Sequence, residues 1–456
     1  MRKTVVKIGG SNLKTNDDIS GIIKAIGYYK SPIIIVVSAL YGVTNTLEKA
    51  LNRAKSSKDS IKDVVELLNA AHCHVLNNFI DNFRVKDRIA LNMNRRLNEL
   101  ERYLQGVNYL GEIPGFANDM ILSYGERLMS QMFEAILNYN GIQCEERLPE
   151  QIGLRVIGDY GNAEIDFAAC ENKINKTLFG RQTYIIPGFY GISADSKVML
   201  LGRGGSDYSA AAIARCVRAL SLDIWKDVPG FLSADPQIVK SPVNLKRLSY
   251  REAAELSYFG ARILHPRTVE PLSDRNIPIR ILNSQSFNKT LKPFTVIDNK
   301  SIIKKNIIKS VTYTNDIAIL KLIGPGVGIQ PGIIAKVAAE LNHARINIKS
   351  IITAQTSINI LLGKNDLDKS LSITKALALS SVKNIVCLND ISIVAVVGEG
   401  MIDRPGIAAK IFKAVSKYKI NVGIVSAGAS EVAIYFIINK KDTSKAIKAI
   451  HEEYFK

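Results

Sequence analysis

The sequence predicts an α/β protein in which a largely parallel sheet lies between helices and is followed by two smaller, duplicated α/β modules. Up to about residue 300, short apolar runs alternate with helical stretches, the pattern that parallel sheets produce. Beyond that point a turn, a helix and a strand recur in register at an offset of 74 residues. The chain of 456 residues is also too long for one ordinary core, so two or three domains are expected.

Apolar runs in the first part of the chain have the length and composition of buried strands. They are Thr4–Ile8, Ile33–Val37, Tyr184–Ile186, Leu222–Trp225 and Ile279–Leu282. The stretch from about residue 46 to 105 is polar and helical in character. We therefore expect it to be a helical insertion that lies outside the sheet.

The last third of the chain contains an internal repeat. Residues 331–337 match residues 405–411, and both copies lead to an Ile-Asn pair and a strand. The predicted apolar faces of the two helices are Ile334, Val337 and Leu341 in the first copy, and Ile407, Ile411 and Val415 in the second. Repeats of this length are duplicated α/β modules rather than solenoid units. Such modules behind a catalytic domain indicate ligand sensing.

The composition is that of a soluble globular protein, with 47% hydrophobic and 22% charged residues. No apolar run reaches the roughly 18 residues that a membrane span needs, and the first residues lack an apolar signal region. We therefore expect a cytoplasmic protein without a membrane partner. Five dispersed cysteines without a CxxC pair predict reduced thiols rather than disulfides or zinc ligands.

The formal net charge is +18, and this excess of basic residues has two possible explanations. It could mark a protein that binds nucleic acid, but the basic residues are spread along the chain and no recognition motif accompanies them. We therefore expect no nucleic-acid partner. Small anionic substrates explain a functional basic cluster better.

The most informative segment is the glycine-rich run Leu201–Asp207, which combines a guanidinium, a hydroxyl and a carboxylate. Glycines let backbone N–H groups approach an anion closely, and arginine offers a planar fork to a carboxylate or phosphate. The run follows a strand-like segment and precedes a helix-like one. The alternative is a glycine turn with a surface salt bridge.

Three further segments carry polar groups at the ends of predicted elements. Residues 7–11 end the first strand with a lysine and two glycines, which suits a phosphate chain at the carboxyl end of a parallel sheet, although no Walker motif is present. Residues 37–45 end a buried strand in hydroxyls and glycine. Residues 125–128 are predicted to open a helix with Glu126 in its first turn, where it either complements the helix dipole or binds a ligand.

Taken together with residues 224–230, 234–236 and 259–266, these segments occur in the order and spacing of the aspartate kinases. The resemblance covers essentially the whole chain. It implies an amino acid kinase-like catalytic domain at residues 1–298 and a regulatory region at residues 299–456. That region would hold two ferredoxin-like (βαββαβ) ACT domains, at about 314–386 and 387–456, the second taking a strand from about 306–313.

The resemblance also implies an activity: ATP-dependent phosphorylation of the L-aspartate side chain to 4-phospho-L-aspartate, with Mg²⁺, at the entry to lysine, threonine and methionine biosynthesis. The implied catalytic residues are Lys7, Arg203 and Asp207. The implied aspartate site comprises Ser38, Thr44, Glu126, Arg203, Gly204, Gly205 and Ser206. The implied nucleotide site comprises Lys7, Ile8, Gly9, Gly10, Lys226, Asp227, Leu232, Gln237, Arg262 and Ile263.

An amino acid effector site is implied in the first ACT domain, in an enzyme that assembles through these domains as a homodimer or homotetramer. Its positions are Val327, Gln330, Ile333, Ile334, Ile348, Lys349, Ala354 and Gln355. Lysine-sensitive relatives carry acidic residues where Lys349 and Gln355 stand. Because both partners for a lysine ammonium are replaced, we expect weak or absent lysine inhibition and favour threonine as the effector.

Several positions depart from the common family pattern. Leu200 replaces a threonine, Gln237 replaces an arginine that is a phosphate-binding candidate, and Arg262 replaces a lysine. We interpret these changes as retuned nucleotide binding, because every proposed aspartate contact is kept. Two alternatives stay open: a kinase for another amino acid carboxylate, and a sensor that has lost turnover, for which Leu200 and Gln237 are the best support.

Overall fold

The computed structural model describes residues 2–261, 263–300 and 307–455. Arg262 of the predicted nucleotide site lies outside the described residues. The chain divides into two compact units. Apart from the residues left undescribed, the first comprises Met1–Phe231, Asn244–Ser257 and Arg262–Ile302, and the second Leu232–Val243, Tyr258–Ala261 and Ile303–Lys456.

The first unit is built on an eight-stranded sheet with the order β10-β12-β11-β9-β1-β2-β6-β3. The strands of this unit are β1 (Thr4–Ile8), β2 (Ile33–Val37), β3 (Cys144–Glu146), β4 (Val156–Ile157), β5 (Glu164–Ile165), β6 (Thr183–Pro187), β7 (Tyr190–Ile192), β8 (Val198–Leu200), β9 (Leu222–Lys226), β10 (Arg247–Ser249), β11 (Ile279–Asn283) and β12 (Thr295–Asp298). All neighbours in this sheet pair parallel except β11 and β12. β4 pairs with β5, and β7 pairs with β8, in short antiparallel ribbons.

Helices cover this sheet because its central strands are apolar on both faces. Every residue of β2 is buried, as are four of the five residues of β1. The helices of the unit are α1 (Asn16–Ile26), α2 (Val43–Ala54), α3 (Asp59–Phe79), α4 (Phe83–Leu110), α5 (Gly115–Tyr139), α6 (Pro149–Ile152), α7 (Phe167–Thr177), α8 (Gly205–Cys216), α9 (Tyr250–Tyr258) and α10 (Glu270–Ser273). The polar stretch around residues 46–105 forms α2, α3 and α4, whose apolar faces join the main core.

The second unit contains two modules, each with a four-stranded antiparallel sheet. Its strands are β13 (Ser310–Thr314), β14 (Ala318–Ile323), β15 (Ile348–Ala354), β16 (Ser357–Leu362), β17 (Asn384–Leu388), β18 (Ile391–Val397), β19 (Ile424–Ala427) and β20 (Ala433–Asn439). Its helices are α11 (Ile333–His343), α12 (Leu367–Ala376), α13 (Ile407–Ser416) and α14 (Thr443–Phe455). The sheet orders are β15-β16-β14-β17 and β13-β18-β20-β19.

The first module has the βαββαβ order within one stretch of chain, whereas the second takes its fourth strand from before the first module. β13 pairs antiparallel with β18, with Ser310 opposite Val397. The Pro-Gly turns of the repeat begin helices α11 and α13, because Gly332 and Gly406 adopt φ angles of 87° and 85° that favour glycine.

One predicted helix face in the repeat is wrong by one residue. Ile333, rather than Ile334, lies in the core of the first module together with Val337 and Leu341. Ile334 is 38% exposed. The three core residues are spaced four apart, so they stack on one side of α11, and Ile334 lies about 100° around the helix from Ile333.

Two observations on the described residues concern membrane-spanning helices and disulfide bonds. Among them, no helix is both long enough and apolar enough to cross a bilayer. The five cysteines are free thiols, although the sulfur atoms of Cys170 and Cys216 are 3.9 Å apart in the first unit.

Candidate active site

The central strands β1 and β2 end side by side at the carboxyl edge of the parallel sheet. Ile8 lies opposite Val37 in the register, and the backbone N–H of Ser38 donates to the Ile8 carbonyl at 3.1 Å. Gly9 and Gly10 follow, and a side chain at Gly10 would come within 3.3 Å of the Ala39 carbonyl. Ligands of open α/β sheets bind outside this edge, so the glycines leave the backbone accessible where a ligand is expected.

A buried charge cluster lies at this edge. The Lys7 ammonium is 2.5 Å from one carboxylate oxygen of Asp207, and the Lys226 ammonium is 3.4 Å from the other. Burial by itself would raise the pKa of Asp207, but the ammonium groups of Lys226 and Lys7 lower it to about 2. Burial lowers the pKa of Lys7, and Asp207 opposes that change. An ionised Asp207 therefore holds both lysines in place.

Residues 201–204 of the glycine-rich run form the loop between β8 and α8, and residues 205–207 begin α8. Gly202 and Gly204 both have φ of 73°, and a Cβ at Gly204 would lie 2.4 Å from the Cβ of His265. Only glycine therefore fits at position 204. Arg203 is exposed at the tip of the loop, and its guanidinium forms no ion pair with a carboxylate of the described residues. A planar, charged donor is therefore available to a ligand.

Glu126 lies in the middle of α5, so the prediction that it stands in the first turn of a helix is wrong. The helix begins at Gly115, eleven residues before Glu126. Gly125 allows α5 to approach the β2 end, because a Cβ there would lie 2.8 Å from the Ala39 side chain. The glycine that the sequence analysis interpreted as a helix start is thus a close-packing position.

The Glu126 carboxyl is 3% exposed, and the Ser206 hydroxyl donates to its Oε1 at 3.4 Å. Its Oε2 is buried and has no hydrogen-bond partner among the described residues. Burial raises the pKa of Glu126 to about 8. The group is therefore a protonated acid at neutral pH that an incoming cation can convert to a carboxylate.

These groups line one cavity of about 790 Å³ in the first unit. All the predicted catalytic and aspartate-binding residues line this cavity: Lys7, Ser38, Thr44, Glu126, Arg203, Gly204, Gly205, Ser206 and Asp207. Polar lining residues that the sequence analysis missed are Tyr41, Asn45, Glu48 and Asn118. Asn118, Leu122 and Glu126 follow one another at four-residue intervals on α5. That spacing could have identified Asn118 had the helix start been placed correctly.

The residues of the predicted nucleotide site are divided between the two units. Lys226 ends β9 beside β1, and the Ser11 hydroxyl donates to Asp227 at 3.1 Å. Ile263 lies in the first unit, in the turn after α9. Leu232 and Gln237 belong to the second unit.

The segment around Leu232 is built into the second unit by backbone and side-chain contacts. The Leu232 carbonyl accepts from the Ser310 hydroxyl at 2.9 Å, and the Ser233 carbonyl accepts from the Val311 N–H at 2.8 Å. The Gln237 N–H donates to the Asp235 carboxylate at 2.8 Å.

The described residues do not form a dedicated metal site. They contain no group of three or more histidine, cysteine, aspartate or glutamate side chains that could hold an ion, and both oxygens of Asp207 already face ammonium groups. Mg²⁺ commonly takes most of its ligands from substrate phosphates and water.

The predicted effector residues fall into two places in the first module. Val327 and Ile333 are buried, and the N–H of Gly328 donates to the Gln355 carbonyl at 3.1 Å, next to exposed Ala354. The Ser381 hydroxyl donates to the side chain of Gln330, and Ile348 packs against the module core.

Lys349 stands apart from the rest of this set. Its ammonium donates to the Asp316 carbonyl at 2.6 Å, and it lies five residues before Ala354 on β15. In an extended strand this separation corresponds to about 17 Å.

Fold and site together define an α/β domain of the amino acid kinase class, followed by two βαββαβ modules. Comparison with known protein families matches residues 2–283 to the amino acid kinase family and residues 394–454 to an ACT domain. The chain belongs to the amino acid kinase family. This result confirms the predicted fold class.

Similarity to aspartokinases extends over the full chain. The bifunctional aspartokinase/homoserine dehydrogenase of Buchnera aphidicola subsp. Acyrthosiphon pisum is 31% identical over 469 residues, which cover 99% of this chain and 56% of that protein. Aspartokinase 2, chloroplastic, of Arabidopsis thaliana is 28% identical and is covered to 84%. The chain spans about half the length of the bifunctional relatives it matches. The resemblance to aspartokinases is thereby confirmed.

Solved aspartokinase structures share the fold. The crystal structure of E. coli aspartokinase III in complex with aspartate and ADP (R-state) superposes with a TM-score of 0.84 at 23% identity, covering 100% of both chains. The complex of the same enzyme with lysine and aspartate (T-state) gives a TM-score of 0.81 at 24% identity, again with full coverage of both chains.

Proposed function

We propose that the chain is an aspartate kinase that transfers the γ-phosphoryl group of ATP to the side-chain carboxylate of L-aspartate. The product would be 4-phospho-L-aspartate, at the entry to lysine, threonine and methionine biosynthesis. One observation carries the proposal: a free guanidinium and a buried glutamate with an unpartnered oxygen face the same cavity. The relatives named aspartokinases, and the solved complex with aspartate and ADP, support it.

An α-amino acid carries one ammonium and one α-carboxylate, and the cavity offers a partner for each. Glu126 would accept the ammonium, and Arg203 would bind the α-carboxylate through two parallel hydrogen bonds. The hydroxyls of Ser38, Thr44 and Ser206 and the backbone of Gly204 and Gly205 would complete the contacts. The β-carboxylate is then left free to react.

The chemical step needs positioning and charge neutralisation rather than proton removal. A carboxylate is already ionised at neutral pH, so its oxygen attacks the γ-phosphorus without a general base. We propose that the buried Lys7 ammonium stabilises the charge that develops on the phosphoryl oxygens and that Asp207 holds Lys7 in position. Lys226 and the backbone around Gly9 and Gly10 would bind the phosphates.

The rest of the nucleotide site, at Ile8, Asp227, Leu232, Gln237, Arg262 and Ile263, remains part of the same proposal. We favour the kinase over a sensor without turnover because the ion cluster of Lys7, Asp207 and Lys226 is complete. A ligand sensor would not need a buried and a half-buried lysine paired with one aspartate at the carboxyl edge of the sheet.

Trapping of the acyl phosphate tests the function directly. Purified protein incubated with ATP, Mg²⁺, hydroxylamine and either aspartate, glutamate or N-acetylglutamate should form a hydroxamate with aspartate. A protein that is silent with all three is a sensor or an inactive enzyme. Product with glutamate or N-acetylglutamate alone would assign the activity to another carboxylate.

The raised pKa of Glu126 predicts how aspartate binding depends on pH. With a pKa of about 8, most of the empty sites are protonated at pH 7. Binding of the substrate ammonium requires the carboxylate, so one proton leaves as aspartate binds. The apparent affinity should therefore rise by about twentyfold from pH 6.5 to 8.5.

Calorimetry in two buffers of different ionisation enthalpy measures this proton release. Glu126→Gln is the matched variant, because it keeps the shape but cannot ionise. It should bind aspartate weakly at every pH and release no proton. An affinity for aspartate that stays constant across this pH range in the unaltered protein would contradict the assignment of Glu126.

We also propose regulation by an amino acid at the first ACT module, within an enzyme that assembles as a homodimer or homotetramer through these modules. Threonine is the favoured effector. Lys349 and Gln355 are not acidic, and the carboxylate next to Lys349, that of Asp316, already lies 3.9 Å from the Lys349 ammonium. Calorimetry should show threonine binding and little heat with lysine, whereas tight lysine binding would contradict the assignment.

A further inference from the structure

Two loops of the first unit meet beside the aspartate cavity, at residues 161–163 and 200–204, which we call the loop junction. The N–H of Ala163 donates to the Leu200 carbonyl at 2.8 Å. A Cβ at Gly202 would lie 2.9 Å from the Asn162 side-chain oxygen and 3.0 Å from the Gly161 carbonyl. The glycine loop that carries Arg203 is thus in close contact with a second loop from a distant part of the chain.

The Arg267 guanidinium joins the two loops through their acceptor groups. It donates to the Ala163 carbonyl at 2.7 Å, to the Leu201 carbonyl at 3.0 Å and to the Asn162 side-chain oxygen at 3.0 Å. Its carbon atom lies 4.5 Å from the centre of the Tyr208 ring, on the first turn of α8. One planar group therefore contacts both loops and the helix that follows Arg203.

Asp119 joins the same two loops through their donor groups. Its side chain is fully buried on α5, and its Oδ2 accepts from the Gly161 N–H at 2.7 Å and from the Leu200 N–H at 2.8 Å. Arg267 and Asp119 thus bind complementary backbone groups of the loop junction. A buried carboxylate and a guanidinium that each bind two backbone groups of these loops indicate a segment whose position is held closely.

The far end of the glycine loop is held by the segment that carries Arg267. His265 lies two residues before it and packs against Gly204 so closely that a Cβ would not fit. Leu201 and Gly204 flank Arg203, so the segment from His265 to Arg267 contacts the loop on both sides of the free guanidinium.

We propose that Arg267 is a positioning residue for aspartate binding, which holds the glycine loop so that Arg203 meets the α-carboxylate. This inference rests on the proposed function. Without Arg267, two carbonyls and a side-chain amide would lose their donor, and the loop, with two glycines at φ of 73°, would gain alternative conformations. Lys7, Asp207 and Lys226 contact none of these groups. The loss of Arg267 should therefore change the KM for aspartate rather than the KM for ATP.

Steady-state kinetics with the hydroxamate assay separates these effects. Arg267→Ala should raise the KM for aspartate by at least tenfold and leave the KM for ATP within about twofold. Guanidinium ion at millimolar concentration should lower the raised KM in Arg267→Ala and have no such effect on the unaltered protein. Arg275→Ala is the matched control, because this arginine pairs only with Glu171 at the surface of the same unit and should leave both constants unchanged.

Hydrogen–deuterium exchange gives a readout that does not depend on activity. In Arg267→Ala the amides of residues 161–163 and 200–204 should exchange faster, and guanidinium should restore their protection. If Arg267→Ala fails to fold, Asn162→Ala, which removes one partner only, should show a smaller shift in the same direction.

The possible outcomes are distinct. Unchanged exchange at the loop junction together with an unchanged KM for aspartate overturns the role of Arg267, as does an equal rise in both KM values without rescue. A protein that makes no aspartyl hydroxamate in its unaltered form overturns the proposed function instead. Altered, guanidinium-restored exchange in that inactive protein would show that the loops are held as described but not for aspartate, and would therefore also overturn the inference.

Discussion

Replacing Lys7 by methionine should lower kcat by about a hundred- to a thousandfold and leave the KM for aspartate almost unchanged. The reason is electrostatic. The Lys7 ammonium is the buried cation nearest the centre of the sheet edge, and burial keeps its charge from being screened by water. Charge that moves onto the γ-phosphoryl oxygens in the transition state would lose its nearest fixed partner.

The fold should survive this substitution. Asp207 keeps the Lys226 ammonium at 3.4 Å, so its carboxylate is not left without a counterion, and methionine fills most of the lysine volume in a buried strand. The pKa of Asp207 should rise, since one of the two ammonium groups that lower it is removed.

Stopped-flow or steady-state measurement of hydroxamate formation gives kcat, and circular dichroism with thermal melting checks the fold. Lys24→Met is the control, because Lys24 is exposed on α1 and does not line the cavity. It should retain full activity. Should Lys7→Met turn over at more than a tenth of the unaltered rate with its fold intact, Lys7 would not be the stabilising cation.

Replacing Arg203 by alanine should raise the KM for aspartate by about ten- to a hundredfold, the effect of losing a bidentate, charge-assisted contact. The KM for ATP should change little, since Arg203 forms no contact with the lysine cluster. Because the side chain is exposed and makes no ion pair within the described residues, its removal should not affect stability.

Titration of aspartate at fixed, saturating ATP measures this change. Arg203→Lys should recover part of the lost affinity, because it keeps the charge but not the planar fork. Arg84→Ala, an exposed arginine at the start of α4, controls for loss of positive charge in general. An Arg203→Ala protein with normal aspartate affinity would require another residue to bind the α-carboxylate.

Local sequence was sufficient to predict the central strands of the first unit and its glycine loop. The predicted runs 4–8 and 33–37 are strands with those bounds, because continuous apolar β-branched stretches of this length are stable only when buried in a sheet. Residues 201–204 of the Leu201–Asp207 segment form a loop between a strand and a helix as predicted, whereas residues 205–207 already belong to the helix. Glycines at positive φ, here Gly202 and Gly204, favour such interruptions of regular structure.

The sequence was less informative where a residue serves a long-range contact. Gly125 was interpreted as a helix start, whereas it lets α5 approach Ala39. β13 joins the sheet of the second module although the whole first module separates them in sequence, and only the family resemblance, not a local pattern, implied a strand at about 306–313 for that module. Asp119 and Arg267 escaped the sequence analysis, because no local pattern shows which backbone groups a side chain will meet 42 to 104 residues away.

The sequence by itself determined which chemical groups this protein presents and on which elements: an ammonium at the end of β1, a guanidinium between glycines, and a duplicated helix-and-strand module. These features depend on neighbours in the chain. Tertiary structure determined the protonation state and the ion pairing of those groups. Only packing buries Glu126, so that its pKa rises to about 8, and only packing pairs Asp207 with two lysines. Desolvation and charge pairing depend on distances in space, which residue order alone does not contain.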